Sequence, residues 1–301
     1  MAISGWLRYL VARALTESMD VRTMTHLVRR LVNNYNLYER TGFPTNIAIP
    51  NRDAANQIVK DMCEWELILP FIKLLYDIRE TGLMGRRYQV PYLREIGKEL
   101  QKCGYIFDNE SKMFVENPSV RKTQNWGILR EDEEYIFTFL RVDMVDNTGF
   151  VRRNSPQTVE KVYSDVRSIV QLSVEKRNGR IWNWEGDGGL GVFFFGKKNN
   201  LAALCGIEIL HELYIYNILN HDSEKIRLRI AIHTGPCSYK HNYSEIRSET
   251  INYTELIEAK SNYENSVLIS NTCFRMLDHQ IAELFHQINI NEIGKLYCYR
   301  I

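Results

Sequence analysis

No two cysteines in this chain are spaced as Cys-x-x-Cys; Cys63, Cys103, Cys205, Cys237, Cys273 and Cys298 stand far apart. Neither a zinc site nor a disulfide framework is therefore expected, and a reducing cytosol suits this usage. Also missing is any run approaching the roughly 18 uncharged apolar residues of a membrane span. The N-terminal stretch MAISGWLRYLVARALTESMD interrupts its apolar positions with Arg8 and Arg13, so it lacks the unbroken core of a secretory leader. An amphipathic first helix in a soluble, cytoplasmic protein is the expectation. A strong excess of one charge is absent too. Residues 1–130 hold 19 Lys/Arg against 14 Asp/Glu, and residues 131–301 hold 19 against 23. That split is too small to favour nucleic acid or an anionic membrane as partner.

The apolar content is that of a folded globular protein, and the chain is long enough for two ordinary domains. Over residues 5–37 the apolar positions Trp6, Leu7, Leu10, Val11 and Leu15, then Met24, Leu27, Val28 and Leu31, recur at helical spacing. Two packed helices with a turn at Met19 and Asp20 follow from that. TGFPTNIAIPN (41–51) reads as a connector, and Asp53–Glu80 is again helical in period. A helix in PYLREIGKELQKCG precedes YIFDNESKMFVEN, where two short β-prone runs flank the turn Asp-Asn-Glu-Ser, so a helix and a β-hairpin are predicted. Such a hairpin can be the wing of a DNA-binding winged helix, but no Arg/Lys-rich recognition helix accompanies it, and a structural or protein-interaction role is the better reading. The first domain is thus expected over 1–120, small and mainly helical, and the aperiodic polar stretch 119–132 is expected as the linker.

From residue 133 onward the pattern changes to strands alternating with longer helices. Strands are predicted at Tyr135–Met144, Arg180–Trp184, Leu190–Phe195, Ile226–His233, Ser266–Ser270 and within Lys295–Ile301. Helices are predicted at Pro156–Arg177, Asn200–Leu219 and near Asn252–Tyr263. The order β-α-β-β-α-β at the heart of 133–301 is that of an α+β, ferredoxin-like sheet.

Two aspartates occupy positions that periodicity does not explain. Asp143 ends the apolar strand FTFLRVDM, and Asp187 lies in the turn of WNWEGDGGLGVFFF, between strands expected to pair as a hairpin. In a ferredoxin-like sheet the first strand lies beside that hairpin, so both carboxylates could reach one spot. Paired carboxylates repel unless a cation lies between them, and hard oxygen donors suit Mg²⁺ or Mn²⁺ bridging phosphates. The bland reading of Asp187 is that Asp-Gly simply makes a good turn. The segment Val145–Gly149, with Thr148, could offer backbone amides at a helix start to a polyphosphate. His233, in an apolar strand, is read as structural rather than as a ligand, and Trp182 and Trp184 as packing residues.

Four segments, FLRVDMVDNT (139–148), GRIWNWEGDG (179–188), RIAIHTG (229–235) and TIN (250–252), resemble in order and spacing the motif set of class III adenylate/guanylate cyclases. The likeness spans about residues 135–301. It implies that Asp143 and Asp187 hold two divalent ions, Mg²⁺ or Mn²⁺, and that Asn252 orients the ribose of a nucleoside triphosphate. It implies formation of a 3′,5′-cyclic nucleotide with release of pyrophosphate. It also implies a homodimer, with the metal aspartates supplied by one protomer and the base and transition-state residues by the other.

The departures from the family are specific. Asn183 stands where adenylate cyclases of this type carry the lysine that reads adenine, and Glu245 where they carry aspartate or threonine. An amide and a carboxylate suit a base with a ring N–H, uracil or guanine, better than adenine. Leu256 replaces the family's transition-state arginine, a loss that can cost several orders of magnitude in rate. Lys260, one turn further along the helix, and Arg247, in the preceding loop, are the candidate substitutes. This altered base pair is compatible with the cyclic-pyrimidine cyclases of bacterial anti-phage systems. The alternative is a cyclase-like domain that binds nucleotide or protein without turnover, with residues 1–120 acting as the adaptor.

Overall fold

The computed structural model describes residues 3–83, 85–109, 112–121, 123–220 and 224–301. The chain divides into two compact units, Met1–Ile128 and Leu129–Ile301.

The first unit packs six helices, α1 (Gly5–Ser18), α2 (Val21–Arg29), α3 (Leu37–Thr41), α4 (Asn51–Glu64), α5 (Ile68–Thr81) and α6 (Leu93–Lys102), and an antiparallel pair, β1 (Tyr105–Asp108) and β2 (Met113–Glu116). Leu7, Leu10, Val11 and Leu15 on one stripe of α1 meet Ile58, Met62, Phe71 and Leu75 from α4 and α5 in a single apolar core. The Asp20 carboxylate accepts the Thr23 N–H at 2.8 Å and so starts α2. The periodic stretch 53–80 is two helices, because Glu66 takes a left-handed φ of 56° between them. Of the expected hairpin turn, Glu110 and Ser111 lie outside the described residues. The unit runs past the expected boundary at 120: Trp126 is fully buried and its carbonyl accepts the Glu116 N–H of β2 at 2.9 Å. Those bonds tie part of the expected linker into the fold.

The second unit holds strands β3 (Glu134–Met144), β4 (Arg180–Glu185), β5 (Gly188–Phe193), β6 (Leu228–Ser238), β7 (Ser266–Ser270), β8 (His286–Ile290) and β9 (Gly294–Arg300). Its helices are α7 (Asn147–Arg153), α8 (Pro156–Lys176), α9 (Lys198–Leu219), α10 (Glu249–Ala259), α11 (Asn271–Phe274) and α12 (His279–Ala282). The strands form one sheet in the order β4-β5-β3-β6-β7-β9-β8. Its first four, with α8 and α9, make the β-α-β-β-α-β arrangement: β3 lies antiparallel between β5 and β6, and β4 pairs with β5. A parallel join of β6 to β7 adds the antiparallel ladder β7-β9-β8.

Alternation along β3 assigns its two faces. Leu140, Val142 and Met144 pack with Val166 and Val170 of α8 and with Ile209 and Leu210 of α9. Phe137, Phe139, Arg141 and Asp143 face the other way. There Phe137 and Phe139 meet Trp182, which is buried and stacks on Tyr243 with ring centres 5.3 Å apart, and α10 covers Ala231 and Leu268 with Ile257. By length and composition α9 is long and apolar enough to cross a membrane, an exception to the reading that no segment comes close. It still carries Glu208 and Glu212, and its buried side, including Ala202, Ala203, Cys205 and Leu213, lies in the core of the sheet's helical layer. Strand β6 continues to Ser238, beyond the expected end at His233, and β5 begins at Gly188, two residues before the expected Leu190.

Candidate active site

The site grows from one register. Antiparallel pairing sets Asp143, at the end of β3, directly opposite Arg229 of β6. The Arg229 Nη2 donates to Asp143 Oδ2 at 2.7 Å. On the other side of β3, the two-residue turn Gly186-Asp187 joins β4 to β5. Gly186 supplies the positive φ of 56° that such a turn takes at its first central position. Gly188 has a different reason to be glycine: a Cβ there would stand 2.7 Å from the Val142 carbonyl and 3.2 Å from Asp143 Oδ1. The bare backbone lets the turn lie against the end of β3, and that proximity makes Asp187 a neighbour of Asp143.

The electrostatics follow. The half-buried Asp187 carboxyl is held above its ordinary value, first by burial and then by the Asp143 charge, with Arg141 and Arg229 opposing. A third carboxylate, Glu258 from the buried side of α10, is pushed up to about 7 by burial and by Asp143. The Arg229 Nε lies 2.8 Å from Glu258 Oε1, near enough for an ion pair. The pair is off the N–H line, however, so neither atom is hydrogen-bonded, and the buried Nε of Arg141 has no hydrogen-bond partner either. Three carboxylates thus share two guanidiniums in a largely dry corner, the kind of crowding found where a protein holds a charged ligand.

Asp143 and Asp187 are hard oxygen donors whose mutual repulsion a divalent cation would relieve, so the donor set fits Mg²⁺ or Mn²⁺. Among the described residues no group of three or more His, Cys, Asp or Glu forms a metal cage.

The other sequence candidates are placed elsewhere. Thr148 is exposed on α7, where the Asp146 side chain makes no capping hydrogen bond and pairs instead with Arg153 at 3.0 Å. Asn183 is exposed on edge strand β4 and donates to Glu185 at 3.0 Å. Glu245, in a 3₁₀ turn, accepts from Asn242 at 2.8 Å. Asn252 and Leu256 are exposed on successive turns of α10, and Lys260 at its end pairs with Glu292 at 2.5 Å. Among the described residues none of these six side chains hydrogen-bonds or ion-pairs with Asp143 or Asp187. Arg247 lines an open cavity of about 520 Å³ together with His233, Ser248, Thr250 and Tyr253. His233 is a packed residue: its Nδ1 lies 2.7 Å from Ser270 Oγ, Tyr253 meets it edge-on, and burial pushes it down to about 4.

Arg229, Glu258 and Arg141 did not emerge from the sequence reading. Their signals were two arginines inside otherwise apolar strands and one glutamate on the face of α10 that buries Thr250, Thr254 and Ile257.

No family model matches this chain, and neither does any curated protein. Solved structures are similar over a little more than half of the chain. They include the guanylyl cyclase Cya2, at 19% identity, TM-score 0.49, covering 56% of this chain and 92% of that one. The monomeric guanylyl cyclase domain of the RhoGC fusion protein from the aquatic fungus Blastocladiella emersonii matches at 17%, TM-score 0.49, covering 56% and 98%. The adenylyl cyclase CyaB from P. aeruginosa matches at 15%, TM-score 0.47, covering 56% and 93%.

Proposed function

We propose that the second unit is a metal-dependent nucleotide cyclase acting as a homodimer, with the first unit as a sensor or adaptor that a protein partner addresses. The observation that carries this reading is the convergence of Asp143 and Asp187 at the end of a central strand, where burial and the Asp143 charge raise the cost of ionising Asp187. The reaction is an in-line displacement: the ribose 3′-oxygen bonds to the α-phosphorus, the bond to the β-phosphate oxygen breaks, pyrophosphate leaves and the 3′-proton is given up. Two ions, Mg²⁺ or Mn²⁺, held by Asp143 and Asp187 would supply acidification of that hydroxyl and neutralisation of the triphosphate. Arg229, bonded to Asp143, and the nearby Arg141 bring positive charge to this corner until then. Across the dimer Asn252 orients the ribose, and Lys260, freed from Glu292, meets the developing charge. Arg247, lining the cavity beside Thr250, is the other cation available for that role. Asn183 and Glu245 read the base, Thr148 contacts the phosphates, and an amide with a carboxylate favours uracil or guanine. Such an enzyme suits cytoplasmic signalling of the anti-phage, cyclic-pyrimidine kind.

A second reading draws on Leu256, exposed where an arginine would serve: the unit binds nucleotide without turnover and signals through the first unit. The two separate when the protein is incubated with ATP, GTP, CTP and UTP plus Mn²⁺ and the products are analysed by mass spectrometry. The cyclase reading expects one cyclic monophosphate, reduced by on the order of 10³-fold or more in Asp143→Ala. Binding of nucleotide with no product would support the second.

A further inference from the structure

We propose that Arg229 is the resident counter-cation of Asp143, a built-in competitor that a divalent ion must displace, and that Glu258 is the carboxylate that receives it. This rests on the reading of Asp143 and Asp187 as metal ligands. The guanidinium bridges two acids, with Nη2 on Asp143 Oδ2 at 2.7 Å and Nε beside Glu258 Oε1 at 2.8 Å. All three side chains are mostly withdrawn from water, at 21%, 26% and 10% exposure for Asp143, Arg229 and Glu258. The two acids are held by their elements. Asp143 is fixed by its ladder position opposite Arg229 of β6, one residue past the last β3–β5 pair at Val142, and Glu258 by the buried face of α10, where Ile257 and Thr254 are fully enclosed. The arginine stem is the long, rotatable part. A doubly charged ion between Asp143 and Asp187 repels the guanidinium, and the nearest remaining acceptor is Glu258. In the metal-free protein the arginine keeps the carboxylates apart in charge; with metal bound it moves wholly onto Glu258. Glu258 is therefore a positioning residue: it keeps Arg229 close without leaving it on Asp143.

The test is Mn²⁺ binding to the full chain, followed by the paramagnetic resonance of free Mn²⁺, which needs no turnover. Arg229→Gln should tighten binding about tenfold, a gain of about 1.4 kcal/mol. Arg229→Lys, which keeps the charge but cannot bridge, should tighten it less. Arg141→Gln, which removes a nearby charge not bonded to Asp143, should have the smaller effect of the two neutralisations. Because Arg229→Gln leaves Glu258 buried and uncompensated, the double variant Arg229→Met/Glu258→Gln provides a check on folding. It should bind Mn²⁺ more tightly than Glu258→Gln alone. Unchanged or weaker binding in Arg229→Gln and in the double variant, with binding lost in Asp187→Asn, overturns the inference while leaving the metal site standing. No Mn²⁺ binding by the wild type and by Arg229→Gln overturns both.

Discussion

Asp61 in the first unit and Asp143 in the second are both acids drawn into the fold, and they are built on opposite plans. Asp61 is fully enclosed, and each carboxylate oxygen is used. Tyr35 donates to Oδ2 at 2.8 Å, while Arg40, through Nε and Nη2, and Gln57 donate to Oδ1 at 3.0, 2.5 and 2.7 Å. Arg40 supplies the positive charge, which it shares with Glu64 at 3.1 Å, and the ring of donors around Asp61 is closed. Around Asp143 three carboxylates share two guanidiniums, Arg141 Nε and Glu258 Oε1 lack hydrogen bonds, and Asp187 and Glu258 are both held above their ordinary values. A closed network specifies a structure; an open one of the same residue types leaves charge for something outside the chain.

The largest effect expected from this contrast is on stability. Asp61→Ala strips Tyr35 and Arg40 of their partner and should cost about 3–5 kcal/mol in urea unfolding, whereas Asp143→Ala should leave the unfolding midpoint of the metal-free protein nearly where it was. Equal losses at both sites would erase the distinction between the two plans. His233 gives a smaller effect and an intermediate case, a buried group with one hydrogen bond and no counter-charge. Burial lowers its folded value to about 4 from an ordinary 6.5. Between those values the unfolded chain takes up a proton that the folded chain refuses. The contribution is therefore present above pH 6.5 and is lost as pH falls toward 4, by about 2–3 kcal/mol. His233→Phe should flatten that part of the stability curve, and an unchanged slope would assign it to other groups. The smallest effect sharpens the comparison by its sign. The raised Asp187 carboxyl means that its ionised form is a burden at neutral pH, so Asp187→Asn should slightly raise the urea midpoint of the metal-free protein at pH 7. A lowered midpoint would place Asp187 with Asp61.

What was legible in the sequence follows from what is local. An apolar strand ending in Asp143 and a glycine-rich turn around Asp187 carry their own signals, and the alternation of β3 names its faces. Arg229 and Glu258 were not legible because their meaning lies in register and packing: nothing near Arg229 says that it will stand opposite Asp143, and a glutamate in a helix is ordinarily solvated. Strand β8, HQINI, is polar along most of its length and largely exposed at the sheet edge, so it shows no period to find. The break between α4 and α5 was hidden because the apolar spacing carries across Glu66. The run GDGG reads as a turn, yet two of its glycines are strand residues needed for close approach: Gly188 to Val142 and Gly189 to the Trp184 ring.

The central place of β3 also has a consequence in time. Glu134 pairs with Ser238 and Met144 with Leu228, so the strand's partner on that side is made long after the strand itself. Synthesis proceeds from the N-terminus at about 5–20 residues per second. For several seconds, then, a nascent chain carries Phe137, Phe139, Leu140 and Val142 on a strand with a bare edge. The corner that gathers Asp143, Asp187 and Arg229 exists only once β6 has arrived, so any chain cut short before it holds the aspartates without the arginine bonded to Asp143.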